Sequence, residues 1–343
     1  MRPFLSKAAF LARPPFHVSA AIVAGLSSLA LSACASLSPA GVLPQESQPS
    51  TRLHPATGST PYPFVYQTVD DPASNDNEVT GINQLKKIVG VFGGGESSGI
   101  YRSYSSQPPF TKFRGSNDPG AQGTFATALS SNKIVAGYVM DPNSLGGIWA
   151  FAKIKGLWAL FADPNEGDGS NAVTEILGIN DSENAVGFYT NSSGVNHAFI
   201  LSLAQGDFTD LNPPNAIASE ATGINGKGDV VGWETTSNGI QSFFLQTGSY
   251  YPFYYPGAQA TYASGVNWSD QVAGSYLDAN GLAHGFVLTG PTKGGGQQVW
   301  QTIDAPGGAE GTWVTGINNH HDICGYYVDA NGVRHGFVAV PGK

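Results

Sequence analysis

The residues with the most chemical potential stand at one recurring place in the chain. Glu78, Thr127, Glu175, Glu220, Tyr262 and Trp313 each lie five residues before an asparagine: Asn83, Asn132, Asn180, Asn225, Asn267 and Asn318. Three of the six are carboxylates and two are large aromatics. Brought together, such a set can hold a cation, stack a sugar on Tyr262 and Trp313, or divide acid and base roles between paired carboxyls. Carboxylates crowded into one site repel, so one of them should keep its proton to an unusually high pH. Whether they meet depends on the elements that carry them.

Those elements are copies of one unit. The anchor asparagines are separated by 49, 48, 45, 42 and 51 residues. After each comes a short apolar run centred on glycine, such as Ala185-Val186-Gly187, Val230-Val231-Gly232 or Ile323-Cys324-Gly325. A polar turn follows, then an aromatic-bearing run such as His284-Gly285-Phe286-Val287, then a last run ending near Asp-Pro or Pro-Gly. Runs of about five residues have strand length and are too short for helices. The 45 Gly and 22 Pro suit many tight turns, and Asn280-Gly281 and Asn331-Gly332 are hairpin signals.

Four strands in roughly 40 to 50 residues is the pattern of a β-propeller blade. The expected fold is therefore all-β: a six-bladed β-propeller over residues 62–343, with four antiparallel strands per blade. The sixth copy runs out after its third strand. Val65-Tyr66-Gln67-Thr68-Val69-Asp70 matches Val299-Trp300-Gln301-Thr302-Ile303-Asp304, the fourth run of the fifth copy. An N-terminal strand should thus complete the C-terminal blade and close the ring, leaving no open sheet edge. In that arrangement the six chemical positions lie at the entry to the innermost strands, near the channel mouth. The anchor asparagines should serve turns, as a residue that tolerates left-handed φ and bonds its own backbone. The central glycines should let blades approach.

Ahead of the repeats, residues 1–33 carry Arg2, Lys7 and Arg13, no acid, and an apolar stretch of signal-peptide length from Val18 to Leu31. The stretch ends in Leu31-Ser32-Ala33-Cys34, which resembles the lipobox of bacterial lipoproteins. That resemblance implies cleavage before Cys34, lipidation of its thiol, and, with Ala35 next, an outer-membrane anchor. Residues 34–61, rich in Ser, Pro, Ala, Gln and Thr, read as a flexible tether. The repeat itself resembles the HAF family of bacterial extracellular repeats. The motif stands as His197-Ala198-Phe199, with His284-Gly285-Phe286 and His335-Gly336-Phe337 as variants. The family brings an exported repeat protein and no established reaction.

Other candidates read as structural. His197, His284 and His335 fall one per blade, too far apart to share a metal, and should bond turn backbone. His320 and His321 point to opposite faces of a strand. Asp70, Asp163, Asp210 and Asp304 sit at fourth-strand exits and should cap turns. Cys324 occupies a small apolar core position. No cofactor is implied beyond a weak calcium-loop likeness at Asp168-Gly169-Ser170-Asn171 and Asp181-Ser182-Glu183-Asn184. The net charge of −9 gives no footprint for nucleic acid. The expectation is a monomeric, membrane-anchored binding or scaffolding protein for a glycan, cation or protein; the alternative is a glycan- or lactone-cleaving enzyme using the mouth carboxylates.

Overall fold

The computed structural model describes residues 63–71, 74–92, 98–103, 111–113, 123–141, 147–169, 172–290 and 298–342, all within the unit Gly58–Lys343. The expected signal peptide, Cys34 and the tether lie outside the described residues. Every element among the described residues is a β-strand. After β1 (Phe64–Thr68) come β2 (Asn77–Ile82), β3 (Lys87–Phe92), β4 (Ser98–Ser103) and β5 (Thr111–Phe113). Next are β6 (Gly123–Leu129), β7 (Val135–Asp141), β8 (Gly147–Ile154) and β9 (Leu157–Phe161), then β10 (Val173–Ile179), β11 (Asn184–Thr190), β12 (Asn196–Ser202) and β13 (Asp207–Asp210). They are followed by β14 (Ala218–Ile224), β15 (Val230–Thr236), β16 (Gly239–Gln246) and β17 (Ser249–Phe253), and by β18 (Ala260–Val266), β19 (Val272–Leu277), β20 (Ala283–Thr289) and β21 (Val299–Ile303). The last are β22 (Thr312–Ile317), β23 (Ile323–Val328) and β24 (Arg334–Pro341).

Consecutive strands pair into four-stranded antiparallel meanders. Strands β6–β9 and β10–β13 are joined into one eight-stranded sheet by a single parallel bridge, Val173 to Ile148. Ile240 and Ala260 join β14–β17 to β18–β21 in the same way. The final meander runs β22-β23-β24-β1, so the first strand of the chain lies beside the last. Its register sets Tyr66 opposite Ala339 and Thr68 opposite Phe337. The Tyr66 ring tilts against Phe337 at 5.6 Å, and the Val69 N–H bonds Gly336 O at 2.7 Å.

Within each meander the second strand is buried almost throughout, and its central glycine answers a local need. The first strand bulges at Thr80, Thr127, Leu177, Thr222, Ser264 and Thr315, between the paired residues on either side. The bulge drives a carbonyl toward the second strand. A Cβ on Gly187 would stand 1.8 Å from Glu175 O, and on Gly325 1.9 Å from Trp313 O. These glycines therefore serve the bulge inside one meander, not the approach of neighbours as the sequence suggested. A phenylalanine on the third strand pairs with them: Phe199 opposite Gly187, Phe243 opposite Gly232, Phe286 opposite Gly274 and Phe337 opposite Gly325, all essentially sealed. The aromatic of the His-Ala-Phe motif is thus the ring that covers the central glycine.

Approach between meanders falls to the other glycine, the one before Ile-Asn. A Cβ on Gly178 would meet Thr222 O at 2.9 Å, and on Gly223 the Cα of Gly265 at 2.9 Å. Across this seam the bulge hydroxyls donate to the next first strand. Thr222 reaches Ala263 O at 2.7 Å and Ser264 reaches Val314 O at 2.7 Å. One turn further along, Asn180 Nδ2 donates to Asn225 O, Asn225 to Asn267 O and Asn267 to Asn318 O. The same asparagines accept backbone N–H groups two and four residues on, as Asn225 does from Lys227 and Asp229. The left-handed residue of the turn is not the asparagine but the third residue after it: Lys86, Glu183, Asp270 and His321.

That signature corrects the second copy. Lys133 is left-handed, Ser130 makes the turn bond to Ile134, and Asn83 Nδ2 donates to Ser130 O. The anchor is Ser130, not Asn132, which instead donates to Asp181 O. The misreading arose because Ser-Ser-Asn offers two residues that suit a turn, and only the strand register separates them.

Deleting residues 63–71 removes the edge strand beside β24 and should abolish the cooperative thermal transition; a superimposable melt would show β1 to be dispensable. Gly187→Ala forces a methyl into Glu175 O and should cost about 1–3 kcal/mol in denaturant unfolding, unless the bulge relaxes and the midpoint stays put.

Candidate functional site

The first strands carry Glu78, Glu175, Glu220, Tyr262 and Trp313 at equivalent registers, two residues ahead of each bulge. In the second meander that register belongs to Phe125, while Thr127 is the bulge residue itself. Thr127 Oγ1 donates to Ala136 O and Ile176 O, so it is a seam hydroxyl and leaves the candidate set. The displacement is the same two residues that moved the anchor from Asn132 to Ser130.

Opposite these positions, on the second strands, stand Val91, Tyr138, Phe188, Trp233, Ser275 and Tyr326. Sequence reasoning passed over this tier, although each member simply follows a central glycine. Phe125 stacks on Tyr138 at 4.6 Å and 14°, and Trp313 on Tyr326 at 5.0 Å and 13°. Trp233 meets Tyr262 edge-on at 5.6 Å. The site is far more aromatic than Tyr262 and Trp313 alone implied.

The charges of all three carboxylates act on one phenol, that of Tyr138. Burial raises the Tyr138 hydroxyl well above its ordinary range, and the charges of Glu175, Glu78 and Glu220 raise it further. Burial also pushes Glu175 up to about 8, with Glu220 adding to the effect. It pushes Glu220 to about 7 against the hydrogen bond from Asn196, and Glu78 to about 7 against the pull of Arg334. Desolvation outweighs like-charge repulsion here, the reverse of the emphasis expected from three acids in one site.

Each carboxylate is met differently from the preceding meander. Glu78 takes Arg334 Nη1, which also bonds Asp76 at 2.9 Å. Glu220 Oε1 takes Asn196 Nδ2 at 2.8 Å. Arg334 and Asn196 both open a third strand, paired with Val328 and Thr190. The equivalent residue ahead of Glu175 is Ile148, paired with Met140, and it offers no donor. Among the described residues Glu175 has no hydrogen-bond partner, although only 8% of its surface is exposed.

The remaining candidates are accounted for elsewhere. His284 Nδ1 lies 2.8 Å from Asp304, and His335 Nδ1 lies 2.6 Å from Asp70; His197 Nε2 contacts Asn191 Nδ2 at 2.8 Å. Each imidazole also stacks on a second-strand tyrosine, Tyr276, Tyr327 and Tyr189 respectively. They hold side chains, not turn backbone, and two of the exit aspartates serve them. Asp163 does cap its turn, through Asn165 N at 2.8 Å, whereas Asp210 takes the Tyr189 hydroxyl at 3.5 Å. Asp181 accepts Ser131 N, and the other calcium-like segment falls partly outside the described residues. His320 rests on Gln84 O at 3.2 Å and His321 on Gln271. Cys324 is sealed, its thiol pushed up to about 12 by burial. Among the described residues no three His, Cys, Asp or Glu stand together to hold a metal ion.

No protein-family model and no curated protein matches the chain. Solved structures do. A variant of the Aleuria aurantia lectin AAL in complex with Fucalpha1-6GlcNAc is 13% identical, covering 77% of this chain and 94% of that one, with a TM-score of 0.44. AofleA from Arthrobotrys oligospora is also 13% identical, over 83% and 88%, with a TM-score of 0.49. Trypanosoma rangeli sialidase in complex with 2,3-difluorosialic acid is 8% identical, over 78% and 54%, with a TM-score of 0.46. This chain is similar to all three at that level and no further.

Proposed function

We propose that the chain is a binding protein of the bacterial cell envelope, a six-bladed β-propeller tethered by a lipidated Cys34 and presenting its acidic and aromatic mouth to a ligand. Support for a closed ring comes from the two ends of the repeat array. Besides the β1–β24 pairing, Asn318 Nδ2 donates to Asn83 O at 3.2 Å and Thr315 Oγ1 to Val79 O at 2.6 Å. The last first strand, β22, also lies against β2 as each other first strand lies against the next. The lipobox resemblance supports the anchor, and the outer membrane is its destination on that reading.

The observation that carries binding is that Glu78, Glu175 and Glu220 lie near enough to Tyr138 for their charges to act on it, with Glu220 acting likewise on Tyr262 and Glu78 on Tyr326. Aromatic faces and carboxylates give a ligand stacking surface and fixed acceptors with little entropy to lose. A second reading, cleavage of a glycan or lactone, is favoured by the elevated Glu175 and Glu220 carboxyls, since a group protonated at neutral pH can act as an acid. Turnover of chromogenic glycosides and lactones separates the two: binding without turnover leaves the first reading standing.

On a glycan array, the full chain should give hits that Glu175→Gln/Glu220→Gln weakens at least about tenfold while its circular dichroism stays native. Hits indifferent to the pair would move the ligand away from the mouth. Glu175 also predicts a pH dependence. The folded chain keeps a proton that the unfolded chain releases above its usual 4.5. Stability is therefore fully present below about pH 4.5 and falls as pH rises toward 8, at up to about 1.4 kcal/mol per pH unit for one such group. Glu175→Gln should flatten that slope in urea unfolding from pH 5 to 8; an identical slope in the variant would rule Glu175 out as its source.

A further inference from the structure

The protein contains a complete copy of a cation seat, and beside it a second copy lacking only the cation. In the complete copy, Trp313 stacks on Tyr326, the Arg334 guanidinium lies 4.9 Å over the Tyr326 ring, and the same guanidinium bonds Glu78 of the first meander. Aromatic face and carboxylate together are the chemistry that holds a flat organic cation. In the second copy, Phe125 stacks on Tyr138 in the same way, and Glu175 of the third meander occupies the register of Glu78. Ile148 takes the register of Arg334.

Ile148 packs with Phe125 and Tyr138, with Val91, Met140 and Val173 against them, and its shorter, uncharged side chain brings neither the charge nor the donors of Arg334. Two polar groups are left without partners there. Among the described residues neither the Glu175 carboxyl nor the Tyr138 hydroxyl takes a hydrogen bond, though Tyr138 is only 5% exposed. Neither is among the sealed, unpartnered polar atoms of the described residues, so each keeps a small contact with solvent. The third acidic register differs again: Glu220 is already served by Asn196. A metal ion is a poor occupant, because no trio of metal-ligating side chains forms among the described residues.

We infer that this second seat takes an organic cation from outside, an alkylguanidinium or similar protonated amine, placed over Tyr138 and against Glu175 where Arg334 stands over Tyr326 and against Glu78. This rests on the binding reading of the mouth and names its ligand class. The ligand replaces a side chain that one repeat has and its homologue lacks.

The test is isothermal titration of the full chain with n-butylguanidinium, with n-butylurea as its uncharged isostere. Saturable binding of the guanidinium in the millimolar range or tighter, and none of the urea, is expected. Glu175→Gln should weaken it at least tenfold, and Ile148→Arg, which supplies the cation from within, should abolish it. Equal binding of both probes, no binding of either, or full affinity in Ile148→Arg would overturn the inference. Should Glu175→Gln fail to fold, Ile148→Arg decides alone. A chain that ignores butylguanidinium but shows array hits dependent on Glu175 and Glu220 would keep the mouth as a binding site and discard only this ligand class.

Discussion

The first strand of each meander is largely buried between its own second strand and the neighbouring first strands, so few of its polar groups face water freely. Any hydroxyl or amide it carries must be satisfied by protein. Its backbone pairs mainly with the second strand, with single parallel bridges to the preceding meander at Val173 and Ala260, and the side chains reach across the seam to the next meander. Thr80, Thr127, Thr222, Ser264 and Thr315 do so from their bulges, and the anchor asparagines do so from their turns. Leu177 is the exception that fits the constraint: it carries no hydroxyl and needs no acceptor. Each bond is worth about 1 kcal/mol net, but leaving one unmade in such a place costs more, so neighbours are chemically obliged to each other. Stability then resides in the seams as much as in the meanders.

The same burial sets the chemistry of the acidic positions. A carboxylate on a buried first strand must be paired, hydrogen-bonded or protonated. Glu78 is paired with Arg334, Glu220 accepts from Asn196, and Glu175 has only its proton. Three copies of one register thus show three responses to one energetic problem, and the differences among them carry the functional information. Identical repeats would have said nothing about ligands.

The repeat's conserved-looking letters resolve into packing roles. The phenylalanine of His-Ala-Phe covers the glycine that the bulge requires, and the histidine stacks on the tyrosine two residues beyond that glycine. In the fourth meander the tyrosine and histidine give way to Glu234 and Gln241, which bond each other at 2.7 Å. A stacked aromatic pair and a hydrogen-bonded polar pair fill the same cross-strand slot.

The all-β character, the order of the strands and the kinship of Val65–Asp70 with Val299–Asp304 were legible in the residues, because period, turn chemistry and run length are local properties of a chain. So was the register of five of the six chemical positions. The second copy was misplaced by two residues, since Ser130 and Asn132 are equally good turn residues until a bulge and a neighbouring asparagine choose between them. Also hidden were the partners. Nothing in the order of residues says that Arg334 lies on Glu78, more than 250 positions away, or that Ile148 stands where an arginine would. Pairing across a seam depends on which meander abuts which, and only the folded chain settles that; the letters fix what each strand can offer, and the packing fixes to whom it is offered.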